Sequence, residues 1–172
     1  MPTTSKGITY PASYGHTRIW EHLETLATDV NRILTDGSVS GARIATATHD
    51  TDSGTFTTAE TVIASVTATL KAGRTYRVRW VTRIGTSVAN DIATPRIRED
   101  NVSGAERTVD FLPLPNAGTV GNLFIVETEY TAAADGAKTF VGTAQRASGT
   151  GNLYREASSN RPTYLYVDYV RG

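Results

Sequence analysis

Two glutamates that could support acid–base chemistry lie at Glu127 and Glu129. Residues two apart in a strand project from the same face, so the two carboxylates would be neighbours, as in enzymes that hydrolyse glycosides. Arg77, Arg79 and Arg83 also share one strand face, however, and cross-strand Arg–Glu pairs explain both rows without catalysis. Because nothing in the sequence signals a buried cleft, we favour ion pairs and expect neither catalytic residues nor enzymatic activity.

The residues that could ligate a metal do not form a recognised set. His16 and His22 are six apart, which does not place them on one helical face, and His49 lies far along the chain in a predicted loop. The segment 50–54 resembles the start of a calcium loop, but its glycine is at the fifth position and no glutamate stands at the twelfth. Cysteine is absent, so thiolate sites and disulfides are excluded. We expect no metal and no cofactor.

Composition narrows the class of partner. The chain has 172 residues with 17 basic and 17 acidic side chains, a balance that disfavours nucleic-acid or membrane-surface binding by bulk charge. No apolar run reaches the roughly 20 residues of a membrane span, and no apolar segment follows the first residues, so we expect no secretory signal. Tyr164, Tyr166 and Tyr169 in the last predicted strand fall on both faces. They could stack on sugar or nucleic acid, but packing in a core and at a subunit contact is favoured.

One helix is predicted, over residues 17–35, after an arm in which Tyr10 and Pro11 are extended. Its apolar residues are spaced 4, 3, 4, 3, which is a heptad seam with a weak preference for three strands. Trp20 makes the apolar face of the helix wider than a heptad seam. Packing of the helix on a sheet or on a partner therefore fits the sequence as well as a coiled coil does. The seam residues are Ile19, Leu23, Leu26, Val30 and Ile33.

From residue 42 the pattern changes to alternation in short segments separated by Gly, Asn, Asp and Pro turns. The sequence therefore predicts a mainly β fold, an antiparallel β-sandwich or jelly roll at 42–172, preceded by an arm and one amphipathic helix at 1–36. Asp135-Gly136 predicts a tight hairpin. The predicted strands are 43–48, 62–70, 76–84, 95–98, 107–112, 123–131, 138–146 and 163–171.

Several segments along most of the chain resemble one family. They are Gly7–Pro11, His16–Ala27, Phe56–Val62, Leu70–Trp80, Ala93–Asp100 and Pro162–Arg171. In these segments the chain is similar to small virion surface proteins of tailed phages of actinobacteria, which include decoration, head-fibre and minor tail proteins.

The resemblance implies a structural virion surface protein but does not fix which surface. The short chain, and an arm and helix suited to docking on a lattice of coat subunits, favour the capsid exterior. The leading hypothesis is a capsid decoration (cement) protein, a homotrimer that binds the major capsid protein and reinforces the head. The alternative is a minor tail or tail-fibre-type receptor-binding protein whose β-domain contacts host cell-wall glycan. Under the leading hypothesis, anchoring and oligomerisation depend on Tyr10, Pro11, Ile19, Trp20, Leu23, Leu26, Val30 and Ile33.

Overall fold

A computed structural model describes residues 22–28, 30, 40–118 and 121–172. The chain divides into two units, Met1–Val39 and Ser40–Gly172, and each is described by itself. In the first unit, residues 22–28 and 30 are helical. None of the helical residues described belongs to a segment with the length and apolarity that a membrane crossing requires. The predicted boundaries at 36 and 42 remain predictions.

The second unit is built from antiparallel strands, which confirms the predicted mainly β class. Its strands are β1 (Arg43–His49), β2 (Thr61–Leu70), β3 (Thr75–Thr86), β4 (Asp91–Glu99), β5 (Glu106–Val109), β6 (Leu112–Leu114), β7 (Asn122–Thr131), β8 (Gly136–Ser148), β9 (Leu153–Arg155) and β10 (Thr163–Arg171).

The strands form two sheets that face each other. The first sheet has the order β1-β10-β3-β7, with β9 paired to the end of β3, and the second has the order β2-β8-β4-β5, with β6 paired to β4. Consecutive strands alternate between the sheets from β1 to β4 and again from β6 to β9. This order is that of a jelly roll, in which two Greek keys close a sandwich.

Three local predictions need correction. The Asp135-Gly136 hairpin is wrong, because β7 and β8 belong to different sheets and the connection crosses the sandwich. The Asp135 carboxylate instead accepts hydrogen bonds from Ala72 N at 2.8 Å and Lys71 Nζ at 2.9 Å. The predicted strand at 107–112 is split into β5 and β6. His49 is the last residue of β1 rather than part of a loop.

The core contains the inward-facing residues of both sheets, as strand alternation requires. Trp80 of β3 is fully buried and meets Phe124 of β7 edge to face, with ring centroids 5.4 Å apart. Across the sandwich, the Trp80 ring lies over Gly142 of β8. A Cβ on Gly142 would come within 2.7 Å of that ring. The close approach of the two sheets at this point therefore requires glycine.

A buried carboxylate fastens one end of the sandwich. Asp91, at the start of β4, is 1% exposed and accepts hydrogen bonds from the Thr86 hydroxyl and from the backbone amides of Thr150 (2.9 Å) and Gly151 (3.1 Å). Burial by itself raises the pKa of Asp91, but these hydrogen bonds and the nearby Arg146 hold it below its usual value. Asp91 thus ties the end of β3 to the β8–β9 loop.

Candidate functional site

The residues predicted to anchor the chain fall in the first unit. Leu23, Leu26 and Val30 belong to its described helical residues and are 46%, 59% and 45% exposed. Their spacing places all three on one helical face. The other residues of the predicted set lie outside the described residues: Tyr10, Pro11, Ile19, Trp20 and Ile33.

One face of this helix presents three large apolar side chains to solvent. Fully burying an exposed Leu or Val side chain contributes about 1.5–3 kcal/mol. These three side chains are about half exposed, so covering them would contribute a fraction of that figure for each. We call Leu23, Leu26 and Val30 the helix seam.

The two candidate catalytic glutamates lie on the outer face of the first sheet. In the register of β3 and β7, Glu127 stands opposite Arg79 and Glu129 opposite Arg77. The Arg79 Nε donates to Glu127 Oε2 at 2.6 Å, which confirms the predicted cross-strand pair at this position. Glu129 Oε2 accepts from Arg171 Nη2 of β10 at 3.2 Å. Both carboxylates are exposed and engaged in ion pairs of the kind that stabilise a sheet surface.

The tyrosines of β10 divide between the two faces, as predicted. Tyr169 is buried and meets Tyr76 edge to face, with ring centroids 5.9 Å apart. Tyr166 faces outward but is only 8% exposed, because the guanidinium of Arg43 lies 3.6 Å from its ring centroid. That ring face is therefore covered by the chain itself and does not form a free stacking platform.

An ionic cluster occupies the outer face of the second sheet. Glu60 accepts two hydrogen bonds from Arg98, at 2.6 and 3.1 Å, and one from the Thr143 hydroxyl. Arg98 and Arg96 both reach Glu106 of β5 as well. Burial raises the pKa of Glu60, but Arg98, Thr143 and Arg96 together hold it below its usual value. Both carboxylates of the cluster have partners. The cluster therefore links the residue before β2 to β4, β5 and β8 and stabilises the sheet.

A shallow pocket that is open to solvent lies beside β9, at one end of the sandwich, with a volume of about 450 Å³. Small-molecule pockets have volumes of about 300–1,000 Å³, so its size suits a small ligand. We call it the β9 pocket. It is lined by Asp52, Ser53, Thr55, Tyr154, Glu156, Ala157, Ser158 and Arg161.

The acidic side chains of the β9 pocket are held by backbone amides. Asp52 Oδ1 accepts from Ala157 N at 2.9 Å, and Glu156 Oε2 accepts from Gly121 N. Arg161 Nη2 lies 3.3 Å from Glu156 Oε1. Burial, Glu156 and Asp52 together raise the pKa of Tyr154, because negative charges disfavour a tyrosinate beside them. The pocket thus combines two fixed carboxylates, one guanidinium and one aromatic ring.

The wall of the pocket is tied directly to β9. Phe56 and Leu153 exchange both backbone hydrogen bonds, at 2.8 and 2.9 Å, and Ser53 N donates to Arg155 O at 3.0 Å. The Arg155 side chain projects to the other side of β9, where it is 6% exposed and donates to the carbonyls of Ile63 and of Thr51. The arginine therefore fixes the strand from behind while Tyr154 and Glu156 face the pocket.

The β9 pocket was not predicted from the sequence. The segment 50–54, which contributes Asp52 and Ser53 to the lining, resembled only the start of a calcium loop, and no strand was predicted where β9 lies. One signal was available: the polar run Tyr154-Arg155-Glu156 alternates in a way that places the first and third residues on one face. Among the described residues, no group of His, Cys, Asp or Glu could hold a metal ion.

No protein-family model and no curated protein matches the chain. Its fold is similar to the sugar-binding EclA C-terminal domain, with a TM-score of 0.42 and 15% identity over 76% of this chain and 81% of that one. It is also similar to the xylan-binding domain CBM22-1 from Paenibacillus barcinonensis (TM-score 0.34, 8% identity, 77% and 97% covered). A third similar structure is VP2 of the infectious bursal disease virus subviral particle. Its TM-score is 0.34 and its identity 14%, over 73% of this chain and 36% of that one. Similarities at this level indicate nothing about function, which is inferred below from the residues of the chain itself.

Proposed function

We propose that the chain is a structural virion protein, a capsid decoration protein that binds the outer face of a phage head as a homotrimer and reinforces it. The observation that carries this proposal is the exposed helix seam of Leu23, Leu26 and Val30. The resemblance to small phage virion proteins supports a place on the virion surface, and the shortness of the chain favours the head over the tail. The proposal gives the chain no catalytic role and gives Glu127 and Glu129 a structural one.

The seam supports self-association because it repeats at heptad spacing. Each chain contributes three large apolar side chains, and three copies around an axis would bury them against one another. A short seam is insufficient for a free-standing coiled coil. The proposal therefore adds contacts from the arm, including Tyr10 and Pro11, to the major capsid protein.

The test is to substitute Leu26→Glu in the full chain, which places a charge in the centre of the seam. We expect the variant to sediment as a monomer where the parent sediments as a trimer. We also expect it to lose binding to heads that lack the protein. Leu123→Glu is the matched control, because Leu123 in β7 is 53% exposed and undergoes the same chemical change. A variant L26E that still trimerises and binds heads would overturn the proposal.

Copy number in purified particles tests the location. Quantitative mass spectrometry against the major capsid protein should give a simple lattice ratio for a decoration protein. A handful of copies per particle would instead favour the tail or a vertex.

A second candidate is a receptor-binding or minor tail protein whose β-domain contacts host cell-wall glycan. The observation that favours it is the β9 pocket, whose hydroxyl, carboxylate and guanidinium groups suit a polar ligand. Binding of cell-wall fragments to the full chain, together with a low copy number, would support this candidate over the first.

A further inference from the structure

We propose that the β9 pocket binds one neutral sugar unit of a glycan, in contact with Asp52, Tyr154, Glu156 and Arg161. This proposal deepens the second candidate function, glycan binding through the β9 pocket, and does not depend on the role of the helix seam. A protein that trimerises on heads could carry the same site.

The chemistry of the lining favours hydroxyl groups over other ligands. A sugar hydroxyl both donates and accepts, so neighbouring hydroxyls can donate to the carboxylates of Asp52 and Glu156 and accept from Arg161. Ser53, Thr55 and Ser158 add further hydroxyls to the lining. The lining carries a net negative charge, because it contains two carboxylates and one guanidinium. An anionic ligand such as phosphate is therefore disfavoured.

The apolar part of the lining suits the other face of a sugar. Among the lining residues, Tyr154 supplies an aromatic ring and Ala157 a methyl group. Tyr154 is half-buried and its hydroxyl is engaged by the Gly118 carbonyl, so its ring is held in place. Small-molecule sites combine apolar or aromatic surface with a few placed polar groups, and the β9 pocket contains both kinds of group.

The pocket is organised before any ligand arrives. The Asp52 carboxylate is oriented by Ala157 N, and the Glu156 carboxylate, on a residue 8% exposed, by Gly121 N and Arg161. The Ser158–Arg161 segment closes on itself through two backbone hydrogen bonds, at 3.2 and 2.9 Å. Fixed side chains lose little freedom on binding, so even a few hydrogen bonds give measurable affinity.

The experiment is titration of the full chain with glucose, galactose, mannose and N-acetylglucosamine in turn, followed by ¹H–¹⁵N NMR. Inorganic phosphate serves as the anionic comparison. We expect at least one sugar to shift a confined set of amide signals with saturation, at an affinity of about 1 mM or tighter. Arg161→Ala should weaken that binding at least tenfold.

Arg171→Ala is the matched control. Arg171 also lies 3.2 Å from a single glutamate, Glu129, and is also exposed, but it belongs to β10 and does not line the pocket. It should leave sugar binding unchanged. Asp52→Asn is the second variant, which retains an oxygen for Ala157 N and should also weaken binding.

The outcomes separate clearly. Saturable sugar binding that is weakened by R161A and D52N but not by R171A supports the proposal. Absence of saturable shifts with all four sugars overturns it, as does binding that both pocket variants leave intact or a stronger response to phosphate. Because the titration uses free protein, a negative result leaves the head-binding test of L26E standing, and a failure of that test leaves this one standing.

Discussion

Asp91 shows how much one buried side chain contributes when several donors converge on it. Asp91→Asn would place an amide against the Thr86 hydroxyl and the amides of Thr150 and Gly151, so at least one donor loses its acceptor. We expect a loss of at least about 2 kcal/mol in the free energy of unfolding. Urea unfolding should show it as a lower midpoint with an unchanged slope. Asp110→Asn is the control, because Asp110 is exposed and binds the neighbouring amide of Phe111. Equal midpoints for the two variants would contradict this account.

The contribution of each ion pair to the free energy of unfolding depends on how deeply the pair is buried. The side chain of Glu60 is 17% exposed and binds Arg98 through both oxygens, whereas that of Glu127 is 46% exposed. Glu60→Gln should therefore cost about 2–3 kcal/mol, and Glu127→Gln between about 0 and 1 kcal/mol. Thermal or urea unfolding of the two variants side by side measures the difference. A cost for E127Q as large as that for E60Q would refute the role assigned to burial.

At the scale of elements, the contact between β3 and β8 sets how closely the two sheets approach. Gly142→Ala would place a methyl group against the Trp80 ring, because a Cβ at this position would lie only 2.7 Å from the ring carbons. We expect a loss of about 1–3 kcal/mol, measured by urea unfolding. Gly54→Ala is the matched control, because a Cβ at Gly54 meets nothing within 4 Å. Its effect should be small or slightly stabilising, and a neutral G142A would show that the sheets can separate freely here.

For the whole molecule, we expect acid to reduce stability in two stages. Burial and the positive charge of Arg155 hold the pKa of His49 below its usual 6.5, so the folded state resists taking up a proton that the unfolded chain binds. Stability is therefore full above about pH 6.5 and falls as the pH drops below it. Stability falls a second time as the pH drops below 4.5 and then 3.8, the usual pKa values of Glu60 and Asp91. In the folded chain the pKa values of both groups are lowered.

Urea midpoints measured from pH 8 to pH 3 test this prediction, and His49→Gln should remove the first stage alone. A profile that is flat between pH 7 and pH 5 in the parent chain would contradict the assignment to His49. The sign is the same for all three groups, because in each case the unfolded chain binds protons more readily than the folded one.

The features that could be predicted from the sequence are those whose signals act over a few neighbouring residues. The strands were largely predictable because a side-chain period of two is local, and β10 matches the predicted segment 163–171 at both ends. The alternation also placed Glu127 and Arg79 on outer faces, so their pairing could be anticipated. The seam of the first unit could be listed by heptad spacing for the same reason.

The tertiary structure alone decided which strands are neighbours. Asp135-Gly136 has the local chemistry of a hairpin, but the chain crosses between sheets there, because turn residues set a bend and not the sheet that receives the next strand. The β9 pocket was equally out of reach, since Asp52 and Glu156 are about 100 residues apart and meet only when β9 pairs with β3 and with the segment around Phe56. The sequence by itself determined the alternating strands and the polar groups they carry. The order of the jelly roll, and with it the pocket, depends on contacts between distant segments that periodicity does not encode.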